Sequence, residues 1–172
     1  PMGVNKSSYE YPAIVFGDLH LTGGSKEAVG ASFEMATWGR AKEIIVHDIF
    51  SGVSISHHES KDPVVQAKRE LDGTNNLANE LQYMYDWFND RKEFNFVSIM
   101  SNHPLWLDRW VSSNDWRKNL NRSLYLQLAS IAVSGEAPKG LVPYLLDKHT
   151  TNVKSLGYND SYRVCDFELA LH

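Results

Sequence analysis

Residues able to bind a metal ion follow an apolar run near the start of the chain. The run AIVF is followed directly by GDLH, which contains Asp18 and His20. Four apolar residues in a row are typical of a buried strand, and in an extended segment residues two apart point to the same face. A carboxylate and an imidazole on one face can bind the same divalent cation. Asp18 and His20 are therefore candidate metal ligands.

The same arrangement occurs twice more along the chain. The apolar run in EIIVHDIF leads to Asp48, and the run FNFVSIM leads to Ser101, Asn102 and His103. In open α/β sheets the carboxyl ends of the strands form the edge at which ligands bind. The sequence therefore predicts that three strand ends bring these polar side chains to one site.

The order of these motifs resembles that of the calcineurin-like metallophosphoesterases. Their motifs run G-D-x-H, G-D-x-x-D, G-N-H-[DE], a later histidine, and G-H-x-H, and the corresponding stretches here are GDLH, HDIFS and SNHP. The resemblance implies that His103 is catalytic: it contacts a phosphoryl oxygen and protonates the leaving group. An imidazole suits that role because its ordinary pKa lies near neutral pH. The metal ligands that the resemblance implies are Asp18, His20, Asp48 and Asn102, with Asp48 bridging two ions.

His172 is the ligand that the resemblance implies for the fourth motif. It closes the apolar run FELAL, and the chain stops there, so the fifth motif, G-H-x-H, is absent. Because that motif supplies one ligand to each metal ion in the family, its absence implies a weak or empty second site. Three other positions depart from the family pattern. His47 replaces a glycine, Ser51 an aspartate and Pro104 an acidic residue.

Two divalent metal ions are the cofactors that the resemblance implies. Ions about 3.5–4 Å apart need an anionic bridge between them, which a carboxylate such as Asp48 can supply. Together they hold a phosphate and lower the pKa of a water, which then attacks the phosphorus. Mixed oxygen and imidazole ligands suit Mn²⁺, which we expect first, and also Zn²⁺, Fe²⁺ or Mg²⁺.

The segments HDIFSGVSISHH and LWLDRW are similar to a phage-encoded branch of the family, the pre-early DNA-transfer proteins of large tailed phages. This resemblance implies a metal-dependent phosphodiesterase or nuclease that acts on DNA in the host cytoplasm. Two alternatives stay open. A small-molecule phosphomonoesterase would use the same site, and a catalytically inactive binding module would fit the absent fifth motif and Pro104.

Other polar and aromatic residues have two interpretations each. His57 and His58 are either solvated loop residues or face the substrate near Asp48. Arg109 either reaches a phosphate or pairs with Asp108 on a helix surface. The tryptophans near Arg109 favour a core face over a nucleic-acid surface, although basic residues accompany them. His47 also has two interpretations: it either supports a metal ligand or packs in its strand. The residues in the aromatic and basic set are Trp106, Trp110, Trp116, Arg117, Lys118 and Arg122.

Composition sets the scale of the fold. A chain of 172 residues with 42% hydrophobic residues suits one domain spanning 1–172, with 1–11 as a loose N-terminal segment. The net charge of −4 provides no overall basic field for nucleic acid, so binding of a phosphodiester substrate needs a local patch or metal ions. The single cysteine, Cys165, allows no internal disulfide and is expected to pack in a strand. No run of about 20 apolar residues suitable for a membrane span is present.

The elements that position these residues follow from hydrophobic periodicity and turn signals. The pattern predicts an α/β fold: a layered β-sandwich flanked by helices and truncated at its C-terminal end. Parallel strands linked by helices carry the first three motifs. The predicted helices run from Ser25 to Gly39, over 64–91 with a break at 73–75, and over 105–111, 115–133 and 141–149. The predicted final strands cover 153–156 and 163–172, joined by a hairpin turn at 157–160.

Overall fold

The computed structural model describes residues 10–17, 19–22, 24–56, 62–113 and 121–170. These residues form six strands, six α-helices and one 3₁₀ turn, Val53–Ile55. In chain order the other elements are β1 (Ala13–Phe16), α1 (Lys26–Trp38), β2 (Glu43–Val46), α2 (Pro63–Leu71), α3 (Leu77–Asn89), β3 (Phe96–Ser98), α4 (Pro104–Ser113), α5 (Arg122–Ser134), α6 (Leu141–His149), β4 (Val153–Ser155), β5 (Ser161–Val164) and β6 (Phe167–Ala170).

Four strands form a parallel sheet in the order β1-β2-β3-β4. In the register, Ile14 lies beside Ile44, Ile44 beside Phe96, and Phe96 beside Val153. Neighbouring parallel strands need long crossover connections, and here helices supply all three of them. The predicted α/β class is confirmed, and the ends of β1, β2 and β3, which candidate site residues follow, lie at one edge of this sheet.

The two faces of this sheet are covered by different elements. Ile44, Val46 and Phe96 point to the helices and belong to a large apolar cluster that includes residues of α1, α3, α4, α5 and α6. Ile45 and Val97 point the other way and pack against residues of the two-stranded antiparallel sheet β5-β6. The central strands β2 and β3 are therefore buried on both faces, as their unbroken apolar runs indicate.

The strand β1 lies at one edge of the sheet and is less buried than predicted. Val15 is 54% exposed, and of the four residues of β1 only Phe16 is buried. An edge strand has a neighbour on one side only, so an apolar run alone did not reveal how little of it would be covered. Tyr11, just before β1, donates its backbone N–H to the Gly39 carbonyl at 3.0 Å.

The predicted hairpin between 153–156 and 163–172 is wrong. The segment β4 instead continues the parallel sheet beside β3, and the hairpin forms between β5 and β6. Its turn contains Cys165, which has a φ of +53° and is exposed, so the predicted packing role of Cys165 is also wrong. The final strand is largely exposed, with Phe167 at 76%. Short apolar runs indicate strands without identifying the partner, which explains the misplaced pairing.

The predicted helices agree with the structure in most of their bounds. Ser25 accepts a hydrogen bond from the Ala28 N–H and caps α1, as its position predicted. The segment 64–91 is a pair, in which α2 begins after the cap Asp62 and α3 after the cap Asn76. The last helix, α6, has the predicted bounds. The predicted helix 115–133 corresponds to α5, Arg122–Ser134. Residues 114–120 lie outside the described residues.

Candidate functional site

The carboxyl ends of β1, β2 and β3 are joined by hydrogen bonds. The His20 N–H after β1 donates to the Asp48 carbonyl after β2 at 2.8 Å. The Asp48 N–H in turn donates to the Ser101 Oγ after β3 at 3.0 Å. These bonds bring His20, Asp48 and the segment before α4 together, as predicted from the strand ends.

Two of the joined residues have an unusual backbone conformation. His20 has a φ of +38° and Asp48 a φ of +50°, in the left-handed region that residues other than glycine rarely adopt. Such a conformation costs of the order of 1–3 kcal/mol, and residues that keep it cluster at functional sites. The surrounding hydrogen bonds hold both residues in this conformation. Because the backbone is left-handed there, the side chains leave it in a direction that differs from that of a regular strand.

The His103 ring is held from two sides and lies beside the His20 ring. Its Nδ1 lies 2.8 Å from the carbonyl oxygen of Ser51. Because a carbonyl only accepts, Nδ1 carries the proton, and Nε2 is the nitrogen left for a substrate. The Trp106 ring stacks on His103 at 4.0 Å between centroids, and the His20 ring meets it edge-on at 4.4 Å.

The Asp48 carboxylate is ionised and has one oxygen without a partner. Its Oδ2 lies 3.2 Å from His47 Nδ1, and this hydrogen bond is the largest cause that holds the pKa of Asp48 well below its ordinary value. Burial is the second-largest influence and raises the pKa, while Ser101 and the nearby His103 lower it further with smaller effects. The other oxygen, Oδ1, is buried and bonds to none of the described residues. A buried carboxylate oxygen without a hydrogen-bond partner is a candidate ligand for a cation.

The donor types of the residues that follow β1, β2 and β3 fit a divalent metal ion in chemistry. A carboxylate oxygen, an amide oxygen and an imidazole nitrogen are ligands of Mn²⁺, Fe²⁺ and Zn²⁺. Within the described ranges no group of three or more His, Cys, Asp or Glu side chains is arranged to hold a metal ion. Asp18 and His172 lie outside the described residues, so the predicted ligand set stays a prediction.

The remaining predicted site residues have different positions. Asn102 is exposed at the turn before α4, next to His103. Arg109 is exposed on α4, and the Asp108 carboxylate accepts the Leu141 N–H at 3.1 Å rather than pairing with Arg109. His57 and His58 lie outside the described residues. Trp110 is buried in the apolar cluster, as the core interpretation predicted.

Three residues that the sequence analysis gave neither a ligand nor a catalytic role support the site. Ser51 holds the His103 ring through its carbonyl, and its Oγ accepts the Thr22 N–H at 3.2 Å. Ser101 links the ends of β2 and β3, and Trp106 covers one face of His103. Trp106 sits three residues after His103 at the start of a helix, a spacing that could have suggested contact.

The loop after β2 is fixed by a buried carboxylate from α3. Glu80 is 7% exposed and accepts the N–H groups of Val53 and Ser54, each at 3.0 Å, and the Ser54 hydroxyl at 2.6 Å. The Arg69 guanidinium also donates to the Val53 carbonyl. The loop that carries Ser51 is therefore anchored to α2 and α3. An isolated Glu in a helical pattern gave no sign of this role.

Comparison with known proteins identifies no family and no function for the chain. No protein-family model, no curated protein and no solved structure matches the chain. No helix in the described part of the chain is long and apolar enough to cross a bilayer. The function is therefore inferred from the chemistry of the site and from the motif resemblance.

Proposed function

We propose that the protein is a metal-dependent phosphodiesterase that acts on nucleic acid, most directly on DNA in the cytoplasm of a phage host. The observation that carries this proposal is the Asp48 carboxylate at the joined strand ends. It is ionised, one of its oxygens is buried without a partner among the described residues, and two imidazoles lie nearby. The motif order of the metallophosphoesterases supplies the reaction.

The residues proposed to hold two divalent ions are Asp18, His20, Asp48, Asn102 and His172. Bound ions would supply Lewis acidity toward the phosphate and a water of lowered pKa. In this proposal Asp48 would help to hold both ions, because its carboxylate belongs to a residue at the joined strand ends. The backbone bonds of His20 and Asp48 fix the two ligands before any ion binds. Preorganised ligands avoid the entropy of ordering them on binding.

His103 is proposed as the acid that protonates the leaving oxygen. The Ser51 carbonyl binds Nδ1, so Nε2 is the atom that would donate the proton. In the family an acidic residue follows this histidine, and here Pro104 takes that position as the first residue of α4, where proline is favoured. The Ser51 carbonyl supports the ring instead, so Pro104 does not argue against catalysis.

The finer fold is part of the same proposal. We place the chain among the layered sandwiches of the metallophosphoesterase type. The support is the position of the antiparallel β5-β6 pair, which covers the sheet face opposite the helices through Tyr162, Val164 and Leu169. The family fold has two sheets that pack against each other, with helices on the outside.

The test is hydrolysis of bis-p-nitrophenyl phosphate, single-stranded DNA and double-stranded DNA with added Mn²⁺. We expect cleavage of these diesters and slower cleavage of p-nitrophenyl phosphate. His103→Ala should bind the metal as the wild type does and lower kcat by about 10²–10⁴, the usual contribution of general acid catalysis. His149→Ala is the matched control, since His149 lies at the end of α6 and stacks on Tyr85.

A second measurement tests the metal site without activity. Calorimetric titration with Mn²⁺ should show that Asp48→Asn loses one bound ion. Unchanged stoichiometry in this variant would count against the bridging carboxylate. Faster cleavage of the monoester than of every diester would favour the phosphomonoesterase, and metal binding without cleavage of any of them would favour a binding module.

A further inference from the structure

A cavity of about 220 Å³ lies beside the candidate site, between the loops after β1 and β2 and the start of α3. Thr22 and Val53 line the side toward the site. Asn76, Asn79, Glu80 and Tyr83 line the side toward α3. A volume of this size is large enough for one heterocyclic base and too small for two.

The cavity is connected to the site through Ser51. The Thr22 N–H donates to Ser51 Oγ at 3.2 Å, and the Ser51 carbonyl accepts from His103 Nδ1 at 2.8 Å. Thr22 is also two residues from His20, and Val53 is two residues from Ser51. The cavity therefore adjoins the segments that carry His20 and hold His103.

The described lining of the cavity is mostly uncharged. It contains no Lys, Arg or His, so it is not built for a phosphate. Its one acid, Glu80, already accepts three hydrogen bonds from Val53 and Ser54. The side-chain amide of Asn79 and the hydroxyl of Tyr83 have no hydrogen-bond partner among the described residues. Tyr83 is 43% exposed. An aromatic ring, a free amide and apolar surface suit an uncharged heterocycle with a hydrogen-bonding edge.

We propose that this cavity binds the nucleobase of the nucleotide whose phosphate is cleaved, with the Tyr83 ring against the base and the Asn79 amide at its edge. This inference rests on the proposed phosphodiesterase function and adds a preference for nucleotide substrates over simple diesters. The sugar would lie between the cavity and the metal site.

The experiment compares two p-nitrophenyl diesters in the presence of Mn²⁺. One is the p-nitrophenyl ester of thymidine 5′-phosphate, and the other is methyl p-nitrophenyl phosphate, which has no base. The wild type should have a lower KM for the thymidine ester. Tyr83→Ala should raise that KM about 5- to 100-fold, as expected for losing one stacked base, and leave the KM of the methyl ester unchanged.

Two further variants separate the contributions and control for folding. Asn79→Ala should raise the KM of the thymidine ester alone, and Tyr83→Phe should change it less than Tyr83→Ala because the ring is kept. Tyr158→Ala is the matched control, since Tyr158 is an exposed tyrosine in the turn after β4. Equal KM values for both esters in the wild type, or equal changes for both in Tyr83→Ala, would overturn the proposal.

A binding measurement separates this proposal from the proposed function. Thymidine 5′-monophosphate and deoxyribose 5-phosphate are titrated into ¹⁵N-labelled wild-type protein. If the protein hydrolyses neither ester, the proposed function fails, but shifts of the Asn79 and Tyr83 amides with the thymidine compound alone would still support the base site. Shifts with both compounds would assign the cavity to the sugar and phosphate and overturn it, as would shifts with neither.

Discussion

The two faces of the parallel sheet differ in how they are covered and in what they support. On the helix face, Phe96 belongs to an apolar cluster with residues from five helices. On the hairpin face, Val97 packs in a small cluster with Ile45, Ile99 and Leu156, against partly buried residues of β5 and β6. Adjacent residues of one strand therefore contribute to two cores of very different size.

The difference indicates that only the helix face links the stability of the fold to the geometry of the candidate site. The helix α3 contributes large apolar residues to the cluster and also carries Glu80, which anchors the loop of Ser51. Among the described residues, the hairpin has no hydrogen bond to the loops that carry His20, Asp48 or His103. Damage on the helix face should reach the site, and damage on the hairpin face should not.

The largest effect is expected for Phe96→Ala, because it leaves a cavity in the helix-face cluster. The free energy of unfolding should fall by about 3–5 kcal/mol. Val97→Ala, at the neighbouring position on the hairpin face, should cost about 2 kcal/mol because it removes less buried surface. Urea unfolding followed by circular dichroism measures both. Equal losses would contradict the proposed difference between the faces.

Glu80→Gln should destabilise the protein and also disturb the site. The amide cannot accept all three hydrogen bonds, so an N–H of Val53 or Ser54 is left unpaired, at about 1–3 kcal/mol. Hydrogen exchange of these two amides should become faster, and kcat should fall because Ser51 positions His103. Glu70→Gln on the exposed face of α2 is the control. Faster exchange with unchanged kcat would show that the loop does not position His103.

Tyr162→Phe should weaken the hairpin face by a smaller amount. The Tyr162 hydroxyl donates to Glu43 Oε2 at 2.5 Å, and this bond raises the pKa of Tyr162 to about 12. Its loss should cost about 0.5–1 kcal/mol. Because the folded pKa is raised, the contribution is full below pH 10 and is lost as the pH rises toward 12. Unfolding of wild type and variant should therefore converge at high pH, with activity unchanged at neutral pH.

Asp108→Asn is expected to have the smallest effect, in the opposite direction. Burial raises the pKa of Asp108, so its ionised form opposes folding at neutral pH and this opposition fades as the pH falls through the raised pKa. Asparagine keeps an oxygen for the Leu141 N–H, so stability at pH 7 should rise by less than about 1 kcal/mol. The gain should disappear at low pH. A gain that persists there would rule out the buried charge as its cause.

Much of the fold could be predicted from local signals. The cap Ser25, the break at 73–75 and the apolar runs of β2 and β3 each depend on residues close in sequence. The pairing of β4 could not be predicted, because a three-residue segment such as VKS fits either a parallel or an antiparallel neighbour. The exposure of Val15 depends on what lies over the edge strand, which no local pattern contains.

The positions of Asp48 and His103 at the candidate site could be predicted, but the groups that support them could not. Asp48 and His103 are polar residues at strand ends, a position that itself indicates function in α/β sheets. The Ser51 carbonyl is a backbone group, and the Glu80 carboxylate binds backbone N–H groups. Backbone groups are the same in every residue, so the sequence does not reveal such contacts. The positive φ of His20 and Asp48 arises from tertiary hydrogen bonds that join three strands, so it too required the structure.

The exposed Cys165 makes the comparison of the two faces measurable in one sample. It is the only cysteine in the chain and lies in the β5-β6 turn, with its thiol accessible. A fluorescent maleimide would therefore label a single known point on the hairpin. Emission from that dye would report when the hairpin detaches, while far-ultraviolet circular dichroism reports when the helices melt, so one heating experiment would reveal whether the two layers separate in sequence or together.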